Sequence, residues 1–255
     1  IFCPRIRSFR KFFNQLFGGR LWPATAADML ASFLNNSMYT YKVAGVQVLI
    51  EQEVLDRMRR AVGYSDGEGT FAPGGSISNM IAMIVARNEA LDTIRNDGLD
   101  GRKYIVYTSD QSHYSITKNA GILGIGRHNV RKIATDDRGR MDVADLRAQI
   151  DADRGAGNVP FFINATAGTT VLGAYDPIEQ IAAVAKDCGL WLHIDGAWGG
   201  TALLSAKTRH LLAGCEAADS FTWDAHKMMG VPLIASAILM LPIGIIYFTV
   251  MVTLI

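Results

Sequence analysis

Apolar and polar positions along this chain follow two different periods. Over residues 46–62 (VQVLIEQEVLDRMRRAV), Ile50, Val54, Met58 and Val62 recur at helical spacing, predicting a helix with one buried face that stops at Gly63. Gly67, Gly69, Pro73, Gly74 and Gly75 crowd the next stretch and predict a loop feeding a second helix over about 77–95. Strand-like runs occupy 104–108 and lie near 129–134, 160–165, 190–195 and 219–223, with helical patterns near 142–151 and 177–188 between them. Strands alternating with helices need crossover connections, so the pattern predicts an α/β domain on a largely parallel sheet. Ligands of such sheets collect beyond the carboxyl ends of the strands, and that is where the polar motifs of this chain fall.

The pattern changes at the far end. No charged residue follows Lys227, and Ile234 to Ile255 reads as continuous apolar sequence, long enough to span a bilayer. Pro232, Pro242 and Gly244 argue against one straight helix. The favoured reading is a buried strand running into a truncated or misread end; a membrane anchor and an irregular buried segment are the alternatives. No internal repeat or low-complexity linker is found.

Composition narrows the function classes. A chain of 255 residues can bury a substantial core. With 25 Lys+Arg against 24 Asp+Glu, no global field points to nucleic acid or to a membrane surface. Cys3, Cys188 and Cys215 form no C-x-x-C pair, which suits a reduced, cytoplasmic interior. Arg5, Arg7, Arg10 and Lys11 open the chain without a long apolar run behind them, so no signal peptide is read there.

Five segments carry candidate chemistry. In SFTWDAHKMMG (220–230) a strand ends in Asp224, His226 and Lys227. Lys227 beside Met228 and Met229 sits in partly apolar company, where desolvation favours a neutral amine able to form a Schiff base; a lone lysine is more often one that snorkels to the surface. In LWLHIDGAWGG (190–200) a strand ends at Asp195, followed by Gly196, Ala197, Gly199 and Gly200. A carboxylate there can pair with a pyridinium nitrogen, hold a metal or bind a ribose. APGGSISNM (72–80) offers glycines, Ser76 and Ser78 at a helix start, which suits a phosphate or is an ordinary cap; the P-loop pattern is missing. His113 in YTSDQSHYSITKNAGILGIG (107–126) can stack on an aromatic cofactor or be a structural histidine, and Thr166 opens a hydroxyl-rich loop in INATAGTTVLGAYDPI (163–178) that equally suits turn capping.

Taken in order, GGSISNM, SDQSHYS, NATAGTT, HIDGAWGG and TWDAHKMMG resemble the successive cofactor-site motifs of group II pyridoxal-phosphate (PLP)-dependent amino-acid decarboxylases, the glutamate and cysteine-sulfinate decarboxylase group. Lys227 follows Asp195 by 32 residues, the separation that family shows. FFNQLFGG (12–19) and NNSMYTYKVAG (35–45) are similar to the stretch preceding its PLP domain.

The resemblance implies the aspartate-aminotransferase-like (fold type I) large domain, incomplete at the C-terminus. Residues 1–45 would end an N-terminal segment, 46–239 form the PLP-binding domain and 240–255 the apolar tail. It implies PLP as cofactor, no metal, an acidic amino acid as substrate and a homodimer with sites at its interface. Lys227 would bond PLP, Asp195 pair with the ring nitrogen, His113 stack on one ring face and Ala197 pack against the other. Ser76, Ile77 and Ser78 would cradle the phosphate, Thr166 lie near the ring hydroxyl, His226 stand beside Lys227 and Gln15 contact substrate. The implied activity is decarboxylation of glutamate, cysteine sulfinate or aspartate to the amine and CO2. An inactive fragment or another fold-type-I enzyme, such as an aminotransferase, is the alternative.

Two departures stand out. Asp224 occupies a position where animal glutamate decarboxylases carry Asn, and a carboxylate there would repel a phosphate unless something neutral or basic intervenes. Bacterial-type relatives use an acidic residue there, so Asp224 reads as a subgroup mark. Beyond Leu239 the family continues with a loop carrying a tyrosine and then further domain sequence; Tyr247 sits in no matching context. The expectation is a chain truncated at both ends.

Overall fold

The computed structural model describes residues 16–242, with a seven-stranded sheet at the centre. Its strands are β1 (Glu68–Ala72), β2 (Tyr104–Ser109), β3 (Val130–Ile133), β4 (Val159–Thr166), β5 (Trp191–Asp195), β6 (Ser220–Asp224) and β7 (Ser236–Met240). They lie in the order β1-β7-β6-β5-β4-β2-β3. Every pair from β3 across to β6 is parallel, and β7 runs antiparallel between β6 and β1. The predicted α/β class with a mostly parallel sheet is therefore what the chain forms.

Helices cover both faces. On one, α3 (Val46–Val62), α7 (Val143–Gly155) and α8 (Ile178–Cys188) bury Met58, Leu146, Ile150 and Ile181 against Ile105, Ile163 and Ile194. On the other, α4 (Gly75–Ala90) and α6 (Ser115–Ile122) bury Ala82, Val85 and Ile116 against Val106 and Phe162. Strands covered on both faces read as unbroken apolar runs rather than alternating ones. That is why β2, buried at every position, was visible in the sequence. Short helices α1 (Trp22–Leu34), α2 (Tyr41–Ala44), α5 (Ile94–Asp97) and α9 (Ala225–Met228) complete the set.

Three expectations need correction. The Gly-rich stretch after α3 contains β1; Gly69 lies within that strand because a Cβ there would stand 2.8 Å from Leu239 Cδ2. The buried face of α3 is Leu55, Met58 and Val62, while Ile50 and Val54 are exposed. A strict four-residue stride drifts about 40° per step around a helix of 3.6 residues per turn, carrying its early members off the sheet. Helix α4 ends at Ala90, before the expected 95, because Leu91 turns extended and buries its side chain. The apolar tail does begin with the expected buried strand, Ser236–Met240, antiparallel to both its neighbours; residues 243–255 lie outside the described residues. Among the described residues no helix is long and apolar enough to cross a membrane.

One polar group sits deep in this core. The His193 ring, on β5, is fully buried and stacks on Phe162 with centroids 5.8 Å apart. Burial pushes its pKa down to about 3, against about 6.5 for an unfolded histidine. A group whose folded pKa is depressed contributes stability that is full above the unfolded value and is lost as pH falls towards the folded one. Urea unfolding should therefore show wild type losing about 2–3 kcal/mol between pH 6.5 and 4.5 through this group. His193→Gln should show a correspondingly shallower fall, and parallel pH profiles for the two proteins would contradict the assignment.

Candidate functional site

The carboxyl ends of β4, β5 and β6, with the loop after β2 and the start of α4, enclose a cavity of about 240 Å³. Parallel strands force this convergence, since every crossover delivers its next loop to the same sheet edge. Ser76, His113, Thr166, Asp195, Ala197, His226 and Lys227 all border it. A wider depression of about 930 Å³ lies at the opposite sheet edge, beside Val159 and Trp191, and is lined by none of the candidate residues.

Asp195 closes β5 and is buried. Its Oδ2 accepts from Asn79 Nδ2 at 2.8 Å and its Oδ1 from the Ala197 N–H at 3.1 Å. A buried carboxylate needs such donors to remain charged. Across the cavity, Lys227 Nζ lies 3.0 Å from Asp224 Oδ2. The expected apolar surroundings of Lys227 are thus corrected: its nearest charged neighbour is a carboxylate, and Met228 points partly to solvent at 39% exposure. The other Asp224 oxygen accepts from Ser236 Oγ. Both oxygens of Asp224 are committed, one to a cation and one to a hydroxyl, which supplies the neutral and basic intervention that a nearby phosphate would need.

His113 follows β2, and its Nδ1 accepts from the Ser115 N–H at 3.2 Å, leaving the proton on Nε2. Its pKa is lowered by burial first, an effect that Asp195 opposes and Lys227 reinforces. The neutral ring lies 4.2 Å from that of Tyr114. His226 Nδ1 is held 2.9 Å from Ala235 O, with Nε2 3.8 Å from Asp224 Oδ2.

The expected phosphate cradle lies at the start of α4. Of its three residues only Ser76 borders the cavity. Ser78 is fully buried with its hydroxyl 2.9 Å from Ser236 Oγ, and Ile77 packs into the core. Helical geometry turns successive side chains through about 100°, so these three point different ways and a ligand at the helix start meets backbone N–H groups as well. The first residues of α4, Gly75 and Ser76, have backbone N–H groups without an acceptor earlier in the helix, suited to an anion. Gln15 lies outside the described residues.

Two features fit a flat, polar, phosphate-bearing ring. Thr166 Oγ1 is buried without a hydrogen-bond partner among the described residues. A Cβ on Gly75 would stand 2.7 Å from Asp224 Oδ2 and 3.2 Å from Ala197 Cβ, so the floor of the cavity has no space for a side chain there. Asn79 was missed in the sequence, although it directly follows Ser78 in GGSISNM. Its amide looked like ordinary helix content, and only the fold brings it to Asp195.

Residues 3–245 match the family model described as pyridoxal-dependent decarboxylase conserved domain. Cysteine sulfinic acid decarboxylase of Mus musculus is 48% identical over 231 residues, covering 90% of this chain and 47% of the relative. Acidic amino acid decarboxylase GADL1 of Mus musculus is 48% identical over 230 residues, covering 90% of this chain and 42% of the relative. The crystal structure of mouse CSAD in apo form superimposes with a TM-score of 0.88 at 48% identity, over 89% of this chain and 48% of that one. The glutamate decarboxylase domain of a Vibrio parahaemolyticus protein gives 0.85 at 32% identity, over 88% of this chain and 50% of that one. The chain spans about half the length of the curated relatives it matches.

Removing Asp224 would leave Lys227 Nζ without this partner and take from the Ser236 hydroxyl the acceptor of its proton. We expect Asp224→Ala to cost about 1–3 kcal/mol in chemical denaturation. Asp224→Asn, which keeps an acceptor for Ser236, should cost less; an Ala variant as stable as wild type would show that the pair does not hold this edge together.

Proposed function

Because this chain belongs to the pyridoxal-dependent decarboxylase family, we propose that it carries the cofactor site of an enzyme that converts an acidic L-amino acid to its amine and CO2. Glutamate and cysteine sulfinate are the favoured substrates, with aspartate third. The observation that carries this reading is the juxtaposition of Asp195 and Lys227, from the ends of adjacent strands, on one small cavity with a helix start at its edge. The names of the relatives support the acidic substrate class.

The residues divide the work. Lys227 Nζ would be the attachment point for pyridoxal phosphate, with Asp224 Oδ2 3.0 Å away to orient it. Asp195, held by Asn79 and the Ala197 N–H, would hold the ring nitrogen of the cofactor and keep it protonated. When bound, the protonated ring supplies an electron sink for the electron pair left behind as CO2 departs. His113 and Ala197, both on the cavity wall, would orient the ring from its two faces. Ser76 and the first N–H groups of α4 would hold the phosphate, Thr166 Oγ1 would meet the ring hydroxyl, and His226 borders the same cavity beside Lys227.

The natural assembly is a homodimer in a reducing cytoplasm. No residue of α1 is buried, and Trp22, Met29 and Phe33 are exposed at 72%, 70% and 85%. Apolar surface on that scale calls for a partner, here a second copy of the chain. Cys188 and Cys215 are both buried and free, as a reducing compartment allows. Sedimentation equilibrium should give twice the monomer mass, with Phe33→Glu weakening association at least about tenfold; a monomer at high concentration would refute the dimer.

For the cofactor site, the chain is incubated with pyridoxal phosphate, reduced with borohydride and mapped by mass spectrometry. We expect label on Lys227, abolished by Lys227→Ala, with amine and CO2 released from an acidic amino acid before reduction. Label scattered over surface lysines would sink the reading.

A further inference from the structure

Asp195 ends a run of hydrogen bonds that crosses the sheet beneath the cavity. The Trp191 Nε1–H donates to Ser220 Oγ at 2.9 Å, and Ser220 Oγ lies 2.8 Å from His193 Nδ1. His193 Nε2 lies 3.0 Å from Asn79 Oδ1, and Asn79 Nδ2 donates to Asp195 Oδ2 at 2.8 Å and to Ser115 Oγ at 3.1 Å. Ser220, His193, Asn79 and Asp195 are all buried.

The two ends dictate the direction of the protons between them. An indole N–H only donates and a carboxylate only accepts. Ser220 therefore receives the Trp191 proton and turns its own towards His193 Nδ1. The neutral imidazole then carries its hydrogen on Nε2 and gives it to Asn79 Oδ1, with Thr222 Oγ1 at 3.4 Å as a secondary neighbour. With its oxygen facing His193, the Asn79 amide points its two N–H groups at Asp195 and Ser115. The opposite polarity would press the amide oxygen against the carboxylate. Burial keeps His193 neutral, the state this arrangement needs.

We propose that Ser220, His193 and Asn79 are positioning residues that form a one-way hydrogen-bond relay, aiming the Asp195 carboxylate at the place of the cofactor ring nitrogen. The role rests on the reading of Asp195 given above. The relay explains why a histidine, a serine and an asparagine from three elements occupy core positions that apolar side chains would otherwise fill. Each is costly to bury alone, and together they are satisfied.

Two measurements decide it. In the cofactor-free chain, 15N NMR of His193 should show the neutral Nε2–H tautomer, and Ser220→Ala should erode that preference; an Nδ1–H tautomer or an imidazolium in wild type overturns the relay whether or not the cofactor reading stands. In the chain loaded with pyridoxal phosphate, His193→Phe keeps an aromatic ring beside Phe162 but removes the donor. It should weaken cofactor binding about tenfold and move the pH midpoint of the bound cofactor's visible absorbance by roughly half a unit or more. Ser220→Ala, the milder change, should shift both in the same direction. Wild-type affinity and an unmoved midpoint in both variants, with folding intact by circular dichroism, would leave these residues a purely structural role. Failure of wild type to take label at Lys227 would count against the cofactor reading instead.

Discussion

A carboxylate buried at the end of a strand stays charged only if donors surround it, and this constraint organises the whole site. Asp195 meets it with an amide from α4 and a backbone N–H of its own turn. Asp224 meets it with Lys227 and with a hydroxyl from β7. Helix α4 must therefore pack close to the end of β5, and β7 must insert beside β6. The close approaches follow: Gly75 has no space for a Cβ beside Asp224, and a Cβ on Gly196 would stand 2.5 Å from Phe221 Cζ. Replacing either donor set would leave an uncompensated charge in a low-dielectric setting, costlier than losing an ordinary contact.

Much of this was legible in the sequence because doubly covered parallel strands announce themselves as apolar runs, and because chemistry sits where those runs stop. Asp195, Thr166 and Lys227 were found that way, each at or just past a strand end. Strand β1 was hidden by glycines that the fold uses for close backbone approach. The α3 face was misjudged because its burial follows the mixed three- and four-residue stride of Leu55, Met58 and Val62. The surroundings of Lys227 were misread because sequence neighbours are not spatial ones: Met228 turns partly outward, while Asp224, three residues back, folds onto the amine. His193 lies two residues before Asp195, on the same face of β5, so strand alternation does contain the pairing. Nothing in the sequence says that Asn79, more than a hundred residues earlier, stands between them.

The family relationship and the geometry bear on different questions. The relatives speak to a chemistry, loss of CO2 from an acidic amino acid; the geometry speaks to how this chain would serve it. Glutamate and aspartate differ by one methylene, and discrimination at that level is worth only about 1–3 kcal/mol. The cavity of this chain is lined by the strand ends, the start of α4 and the loop bearing His113.

On our proposal Asp195 and Lys227 grip two ends of one cofactor, and a crystal structure of the chain grown with pyridoxal phosphate would reveal this. We expect density continuous with Lys227 Nζ, the ring nitrogen within roughly 2.7–3.2 Å of an Asp195 oxygen, and the phosphate at the first N–H groups of α4. Density placed elsewhere, or a ring whose nitrogen faces away from Asp195, would contradict it.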